Sequence, residues 1–336
     1  YRRLADGQIM KSTVPLETGE SSLTTNIGSV QNAGIELGVN FGVIRNQNFT
    51  WDVNVAFARN WSKIKELPSG DDVSNNWFIG ERLNVLRDYT YAGVITADGV
   101  TMHTINGDKH YTLQEVYDKY GPKSPNKLKW YEGQMAVNDW NDDGKINDED
   151  KQIYGCTDPK WTGSLSSTMT YKGFDFSFML YTKQGQWSRS YFHEQYMDIS
   201  DRGRQKMSFD YYIPAGTPVL DKATGDITYL ETPHMGAYPY PNNYEKTGGG
   251  YFSKSSSGVR YQKTSFVKVK NITLGYTFPK KWMSKIAVKH LRLYVNVLNP
   301  FCFTGYDGFD PEWASANLTD GGPASVTYQI GANIKF

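Results

Sequence analysis

No stretch of this sequence holds about 18 consecutive apolar residues, which excludes a membrane-spanning helix. Cysteine is scarce. Cys156 and Cys302 are the only two in 336 residues, and their spacing fits neither a metal site nor a redox pair. Two unrelated thiols are the plain reading, although spacing alone leaves a single bridge open. A dominant charge is lacking as well: 36 Lys and Arg against 35 Asp and Glu give a formal net charge of +1. That removes any bulk electrostatic argument for nucleic acid as a partner. Catalytic signatures are equally thin. There is no Gly-x-Ser-x-Gly elbow, no phosphate-binding loop and no Gly-x-Gly-x-x-Gly. His193-Glu194 lacks the second histidine of a zinc-protease helix and reads as a pair in a surface loop. Carboxylates abound, but sequence gives no separation between them, so no glycosidase pair can be argued. No leader precedes Tyr1; for an exported chain the expectation is a start removed by processing or a larger parent.

Rings are present in plenty. Aromatic content is 15%, with 24 Tyr, 16 Phe and 9 Trp, at a mean hydropathy of −0.58. A chain rich in rings yet polar on average suits a β-barrel, whose strands alternate lipid-facing and lumen-facing residues between aromatic girdles.

Period-2 alternation is the main signal. Ile35, Leu37, Val39, Phe41 and Val43 alternate with Glu36, Gly38, Asn40 and Gly42. After a hairpin loop over 44–48, Phe49, Trp51, Val53, Val55 and Phe57 alternate with Thr50, Asp52, Asn54 and Ala56. Phe174, Phe176, Phe178 and Leu180 form one face further on; Ile272, Leu274, Tyr276 and Phe278 form another. Leu291, Leu293, Val295 and Val297 repeat the pattern, and the chain closes on Tyr328, Ile330, Ala332, Ile334 and Phe336. A soluble β-sandwich alternates in the same way with its apolar face turned inward. Three features favour an all-β antiparallel transmembrane barrel instead. The segments reach about 10 residues, enough to cross a bilayer when tilted. The last residue is an aromatic that completes an apolar stripe. Connections alternate between short and long.

Placing the C-terminus in the periplasm, as a resemblance to outer-membrane transporters implies, puts the connections at 96–160, 188–260 and 299–325 outside, and the 172–173 and 279–288 turns inside. The connections at 13–32 and 67–84 then fall inside and fit less cleanly. The strand count is about nine, allowing one near 1–10 and one near 85–95. Plugged outer-membrane transporters use roughly 22 strands, and an open half-barrel would leave unpaired edges in hydrocarbon. Further strands are therefore expected from elsewhere. The Gly/Ser-rich run 247–258 reads as a loop tip.

Several segments carry a family resemblance. Asn32-Ala-Gly-Ile-Glu36, Trp51, Asn60-Trp-Ser-Lys-Ile64, Pro159-Lys-Trp-Thr-Gly163 and Tyr171-Lys-Gly-Phe-Asp-Phe-Ser177 are among them. So are Phe266-Val-Lys-Val-Lys-Asn-Ile-Thr-Leu-Gly-Tyr-Thr-Phe-Pro279 and Phe303-Thr-Gly-Tyr-Asp-Gly-Phe-Asp-Pro-Glu312. In this order they resemble the C-terminal part of the SusC/RagA family of TonB-dependent transporters. The matching segments span nearly the whole chain, so 1–336 is read as the C-terminal part of the barrel. It implies the bacterial outer membrane, a 22-stranded barrel with an N-terminal plug, a TonB contact, a SusD-like lipoprotein lid, and oligosaccharide or peptide cargo. Two departures stand out: Pro300 follows Asn299 where the pattern has an apolar residue, and 322–328 lacks the Tyr-Pro pair common before the last strand.

One constellation carries chemistry. Asp139-Trp-Asn-Asp-Asp-Gly-Lys-Ile-Asn-Asp-Glu-Asp150 fits the calcium-loop pattern. Ca²⁺ takes several oxygens at a flexible site. Asp139, Asn141 and Asp143 supply side chains, Gly144 allows the sharp turn, and Lys145 offers its carbonyl. Asn147 contributes directly or through water, and Asp150 closes the shell. Asp in place of the usual final Glu resembles dockerin-type loops. The bland alternative is a solvated acidic turn. The expected role is loop rigidification. Trp187, Tyr191, Phe192 and Tyr196 could stack on sugars, but loop packing or a girdle explains them as well.

Three functions compete. An outer-membrane importer binds and gates without bond-making. A soluble calcium-binding β-domain, such as a carbohydrate-binding module, would bury its apolar face within this chain. A secreted glycoside hydrolase would hold a carboxylate pair in a cleft. Loop lengths, the terminal stripe and the ordered segments favour the importer.

Overall fold

The computed structural model describes residues 1–6, 9–13, 22–26, 28–68, 70–120, 131–196, 210–240, 260–316 and 322–336. The expected loop tip at 247–258 lies outside them. Eight strands form one antiparallel sheet: β1 (Arg2–Asp6), β2 (Ser29–Arg45), β3 (Phe49–Glu66), β4 (Trp161–Tyr171), β5 (Phe174–Gln184), β6 (Phe266–Thr277), β7 (His290–Thr304) and β8 (Thr327–Lys335). Each pairs with its neighbours in chain order. β1 and β8 are not paired with each other, so the sheet is open.

Register turns the sequence alternation into two faces, because side chains two apart on a strand share a side. One unbroken apolar row runs Val39, Val55, Leu165, Leu180, Val269, Phe301 across six strands. Another runs Trp51, Met169, Phe176, Leu274, Val295, Ile330. Much of this face is open among the described residues: Leu274 is 53% exposed, Phe301 56% and Ile330 87%, although Val269, near the long-loop edge, is buried at 8%. A soluble sandwich would have buried these rows against a second sheet, so the soluble β-domain fails its own expectation. The rows suit contact with hydrocarbon. Rings border them. Phe49, Tyr171, Phe174 and Tyr276 stand in register at one edge. Phe57 meets Trp161 at 5.8 Å, and Phe301 stacks on Phe303 at 6.4 Å, toward the other.

The opposite face is polar and bonded to itself. Thr50 meets Thr170 at 2.5 Å, Thr273 donates to Asn296 at 2.9 Å, and Asn296 donates to Gln329 at 2.9 Å. Arg292 grips Asp175 with Nε at 2.8 Å and Nη2 at 2.5 Å. Gly275 lies between these partners. A Cβ there would fall 2.5 Å from the Asp175 carboxylate and 2.6 Å from the Arg292 guanidinium. Gly275→Val in the full-length protein is therefore expected to split the fork and cost on the order of 1–3 kcal/mol from overpacking. The check is the temperature at which the heat-modifiable folded band is lost on detergent gels.

The strand count corrects one expectation. The segment at 85–95 is no wall strand. It divides into Val85–Tyr89, which pairs with Lys151–Cys156, and Tyr91–Val94, which pairs with Met135–Val137. Gly93 at φ +133° lies in the second piece, and neither piece is long enough to cross a bilayer. Removing this strand reverses the assignment of everything before it. The connections at 7–28, 67–160, 185–265 and 305–326 now all lie on one edge. The turns at 46–48, 172–173 and 278–289 all lie on the other. The two connections that fitted poorly, 13–32 and 67–84, move to the long-loop edge, and the 44–48 hairpin moves to the short-turn edge.

Pro300 also finds its reason. Val269 pairs with Phe301 but Asn271 pairs with Leu298, so Asn299 and Pro300 form a bulge opposite Lys270. Asn299 adopts φ +50°, and a bulge leaves an amide unpaired, the one place inside a strand where proline costs no ladder bond.

Candidate functional site

The 67–160 connection folds into a small unit on the long-loop edge. Its helix α1 (Leu113–Tyr120) packs Val116 and Tyr120 onto Ile95, Met102 and Val137, all fully buried. The calcium-type segment lies against this core. Asp139 follows Val137 and Asn138 into the interior and is 0% exposed, as is Asp150.

Local hydrogen bonds shape the loop. Asp139 Oδ1 accepts from the Asp143 amide at 3.2 Å and Oδ2 from the Gly144 amide at 2.9 Å. Asn141 Oδ1 accepts from the Asp143 amide, and Asp143 Oδ1 from the Lys145 amide at 2.8 Å. Gly144 takes φ +83°, which a β-carbon would disfavour. A short 3-10 turn, Asp148–Asp150, is capped reciprocally: Asn147 Oδ1 accepts from the Glu149 amide, and Asp150 Oδ2 accepts from the Asn147 amide. Asp150 Oδ1 accepts from the Trp140 amide at 2.7 Å, tying the end of the loop to its beginning. The six expected ligand positions are thus gathered into one closed loop.

Whether the donor set suits a cation is decided by charge. Asp139 has partners that sequence did not reveal: Lys119 Nζ at 3.2 Å and the Tyr120 hydroxyl at 2.6 Å, both from α1. Asp150 has backbone amides only, with no ion pair among the described residues. Burial raises its carboxyl above the ordinary range, its amide bonds pull the other way, and the charge of Asp139 adds to the rise. Two buried carboxylates share one lysine, so a cation at this loop would offset an unmatched negative charge. The oxygens of Asn141 and Asp143 belong to the hard-donor class that Ca²⁺ takes. The donor set fits. Within the same loop, Asp148 is held below the usual carboxylate range chiefly by its bond from Lys151, with Arg87 adding to it.

Ion pairs knit the long loops into a rim. Lys268, 3% exposed on the polar face of β6, reaches Asp310 at 2.6 Å and Glu312 at 2.7 Å. Lys270 adds a second cation to Glu312 at 2.7 Å. These contacts pin 310–312 to the wall. Burial by itself would raise the Glu312 carboxyl, but the two ammonium groups pull it below its ordinary value. The linkage follows from that sign. The anchor is complete above the unfolded carboxylate pKa of about 4.3 and is lost as pH falls through the lower folded value. Protease cleavage within 305–316 should accordingly rise at acid pH, relative to cleavage of an unstructured control.

Arg260 pairs with Asp88 at 2.5 Å and joins the 67–160 and 185–265 connections. The reading of His193 as a surface-loop residue is overturned: helix α2 (Tyr191–Tyr196) carries it inward, and it is 0% exposed. Its ring bonds Ser190 Oγ and Asp307 Oδ1, each at 2.7 Å, and the Tyr238 hydroxyl donates to Asp307. These are the residue types of a hydrolytic triad in a different arrangement. Ser190 is sealed at 0% exposure and bonded to Tyr306, while Asp307 is the accessible member. No substrate reaches that hydroxyl. Of the candidate stacking rings, Phe192 packs on Phe309 at 4.6 Å, Trp187 lies beside Tyr154 at 5.7 Å, and the side chain of Tyr196 lies outside the described residues. The two thiols are free: Cys156 is buried and Cys302 exposed.

An open antiparallel sheet with one bare apolar face, ring borders and every long loop on one edge is a segment of an outer-membrane β-barrel. No protein-family model matches the chain. It is 29% identical over 367 residues to "TonB-dependent receptor P39" of Formosa agariphila, covering 100% of this chain and 33% of that protein. It is 28% identical over 341 residues to "TonB-dependent receptor SusC" of Bacteroides thetaiotaomicron, covering 100% and 29%. The chain spans about a third of the length of these curated relatives. Among solved structures, the RagAB peptide transporter superposes over 100% of this chain and 32% of its own, with a TM-score of 0.62 at 18% identity. Over its whole length the chain is similar to about a third of a TonB-dependent receptor of the SusC/RagA type, which places it in the bacterial outer membrane.

Proposed function

We propose that this chain is the C-terminal part of an importer that takes up oligosaccharides or peptides through TonB and a SusD-like surface lipoprotein. The observation that carries the reading is the division of the sheet: an apolar face left largely exposed among the described residues, and all four long connections on one edge. The wall strands supply the lipid boundary and a polar lining. The ion-paired rim supplies a firm rather than floppy mouth on which a lid could seat. Cargo would be held between lid and barrel and released inward when TonB remodels the plug. The 96–160 and 188–260 segments are read as extracellular.

We propose in addition that Asp139, Asn141, Asp143, Lys145, Asn147 and Asp150 hold a structural Ca²⁺. The ion would neutralise the buried carboxylates and stiffen the 67–160 unit.

Capture of the full-length protein from native membranes in mild detergent, followed by mass spectrometry, tests the import reading. Recovery of plug peptides together with a lipoprotein is the expected result. A lone species in the soluble fraction would overturn it.

A further inference from the structure

Just beyond the ring border on the long-loop edge lies a cavity of about 400 Å³ that the importer reading does not use. Its walls are three cations, Arg59, Arg82 and Lys160, and three rings, Trp61, Tyr154 and Trp187; Glu81 is the sole carboxylate among its lining residues. Among the described residues none of the three cations makes an ion pair. Arg82 spends its guanidinium on two backbone carbonyls, Asn60 at 2.7 Å and Asp158 at 3.1 Å. Arg59 lies 4.9 Å over the Trp61 ring and makes no ion pair, nor does Lys160, among the described residues. Lys263 adds a fourth positive charge 5.3 Å over Trp187.

Two glycines let the walls close in. A Cβ on Gly155 would fall 2.4 Å from Trp187, and one on Gly185 would fall 2.7 Å from Lys160. The height of the cavity follows from register. Arg59 and Trp61 share the lipid-facing side of β3 with Phe57, which meets Trp161 at the border. They stand roughly 7 and 13 Å above Phe57 along the strand, the level of lipid headgroups rather than acyl chains. Clustered Arg and Lys at that level recognise anionic headgroups, and guanidinium suits phosphate oxygens. Adjacent ring faces offer a sugar a flat apolar partner. The volume lies within the usual range for a small ligand, about 300–1,000 Å³.

We propose that this cavity binds a phosphorylated sugar headgroup, with phosphate on Arg59 and Lys160 and the sugar against Trp61 and Trp187. The inference rests on the outer-membrane reading for its placement, not for its chemistry. The test uses the full-length receptor in nanodiscs carrying lipid A, in matched nanodiscs carrying dephosphorylated lipid A, and with soluble glucose 1-phosphate. The comparison is the double variant Arg59→Gln/Lys160→Gln; Arg82 is left intact because it holds backbone. Native mass spectrometry should show lipid A retained by the wild type and weakened on the order of tenfold or more in the variant. Heat-modifiable migration on gels verifies folding of both. Binding of glucose 1-phosphate with the same loss in the variant, but no retention of lipid A, assigns the cavity to soluble sugar phosphates. Equal binding by wild type and variant, equal retention of the dephosphorylated lipid, or no binding of either phosphate probe overturns the proposal. Failure to insert into any bilayer would instead contradict the outer-membrane reading, and the glucose 1-phosphate arm still tests the cavity.

Discussion

Lys268→Met is expected to free the 305–316 segment from the barrel wall at a cost of about 3–5 kcal/mol, the range for breaking a buried ion pair from one side. Asp310 is 7% exposed and loses its cation, while Glu312 keeps Lys270. The loss should show as cleavage within 305–316 at protease concentrations that leave the wild type intact, with the strands still protected. The triple variant Lys268→Met/Asp310→Asn/Glu312→Gln separates charge from packing. Removing the carboxylate charges along with the ammonium should recover part of the protection, because no uncompensated ion then remains buried. Equal cleavage of single and triple variants would mean that the lysine acts through its packed stem rather than its charge.

Asp150→Ala is expected to open the calcium-type loop. Its carboxylate accepts from the amides of Trp140, Asn141 and Asn147. Leaving buried donors unpaired costs roughly 1–3 kcal/mol each, so the 67–160 unit should loosen by several kcal/mol. The calcium proposal adds a sharper expectation. Thermal unfolding of the wild-type unit, followed by hydrogen exchange at 131–156, should shift upward with Ca²⁺ and fall back with a chelator. Asp150→Ala should show neither response. Calorimetry that detects no Ca²⁺ uptake by the folded wild-type protein would contradict the ion while leaving the hydrogen-bond role of Asp150 untouched.

The wall was the most legible part of the sequence, because a sheet with one lipid-facing side writes its geometry as alternation. Phe174, Phe176, Phe178 and Leu180 lie in one stripe as their spacing demands. The 85–95 segment misled for a physical reason. Ile95, with Tyr89 and Ala92, packs into a loop core shared with Met102, Val116 and Val137, and a short strand of such a core resembles a wall strand over so few residues. That error also changed the parity of the barrel.

The calcium-type loop was legible because its residues are contiguous. Its partners Lys119 and Tyr120 were not, since they come from a helix about 20 residues upstream whose packing depends on the tertiary fold. Lys268 and Lys270 carried a faint signal: two cations alternating on the polar side of a strand, with Asp-Pro-Glu later in the chain. Nothing in the sequence joined His193 to Asp307, because the pairing spans two loops that meet only once the strands align.

An outer-membrane wall requires the long-loop edge of the sheet to face the medium. Single cysteines at position 223, in the hairpin at 218–229, and at position 47, in the turn at 46–48, can be placed in the full-length protein with Cys156 and Cys302 changed to Ser. A membrane-impermeant thiol reagent added to intact cells should label Ala223→Cys. Gln47→Cys should label only after the outer membrane is permeabilised. Labelling of position 47 on intact cells with protection at 223, or equal labelling of both in a soluble fraction, would contradict such a wall.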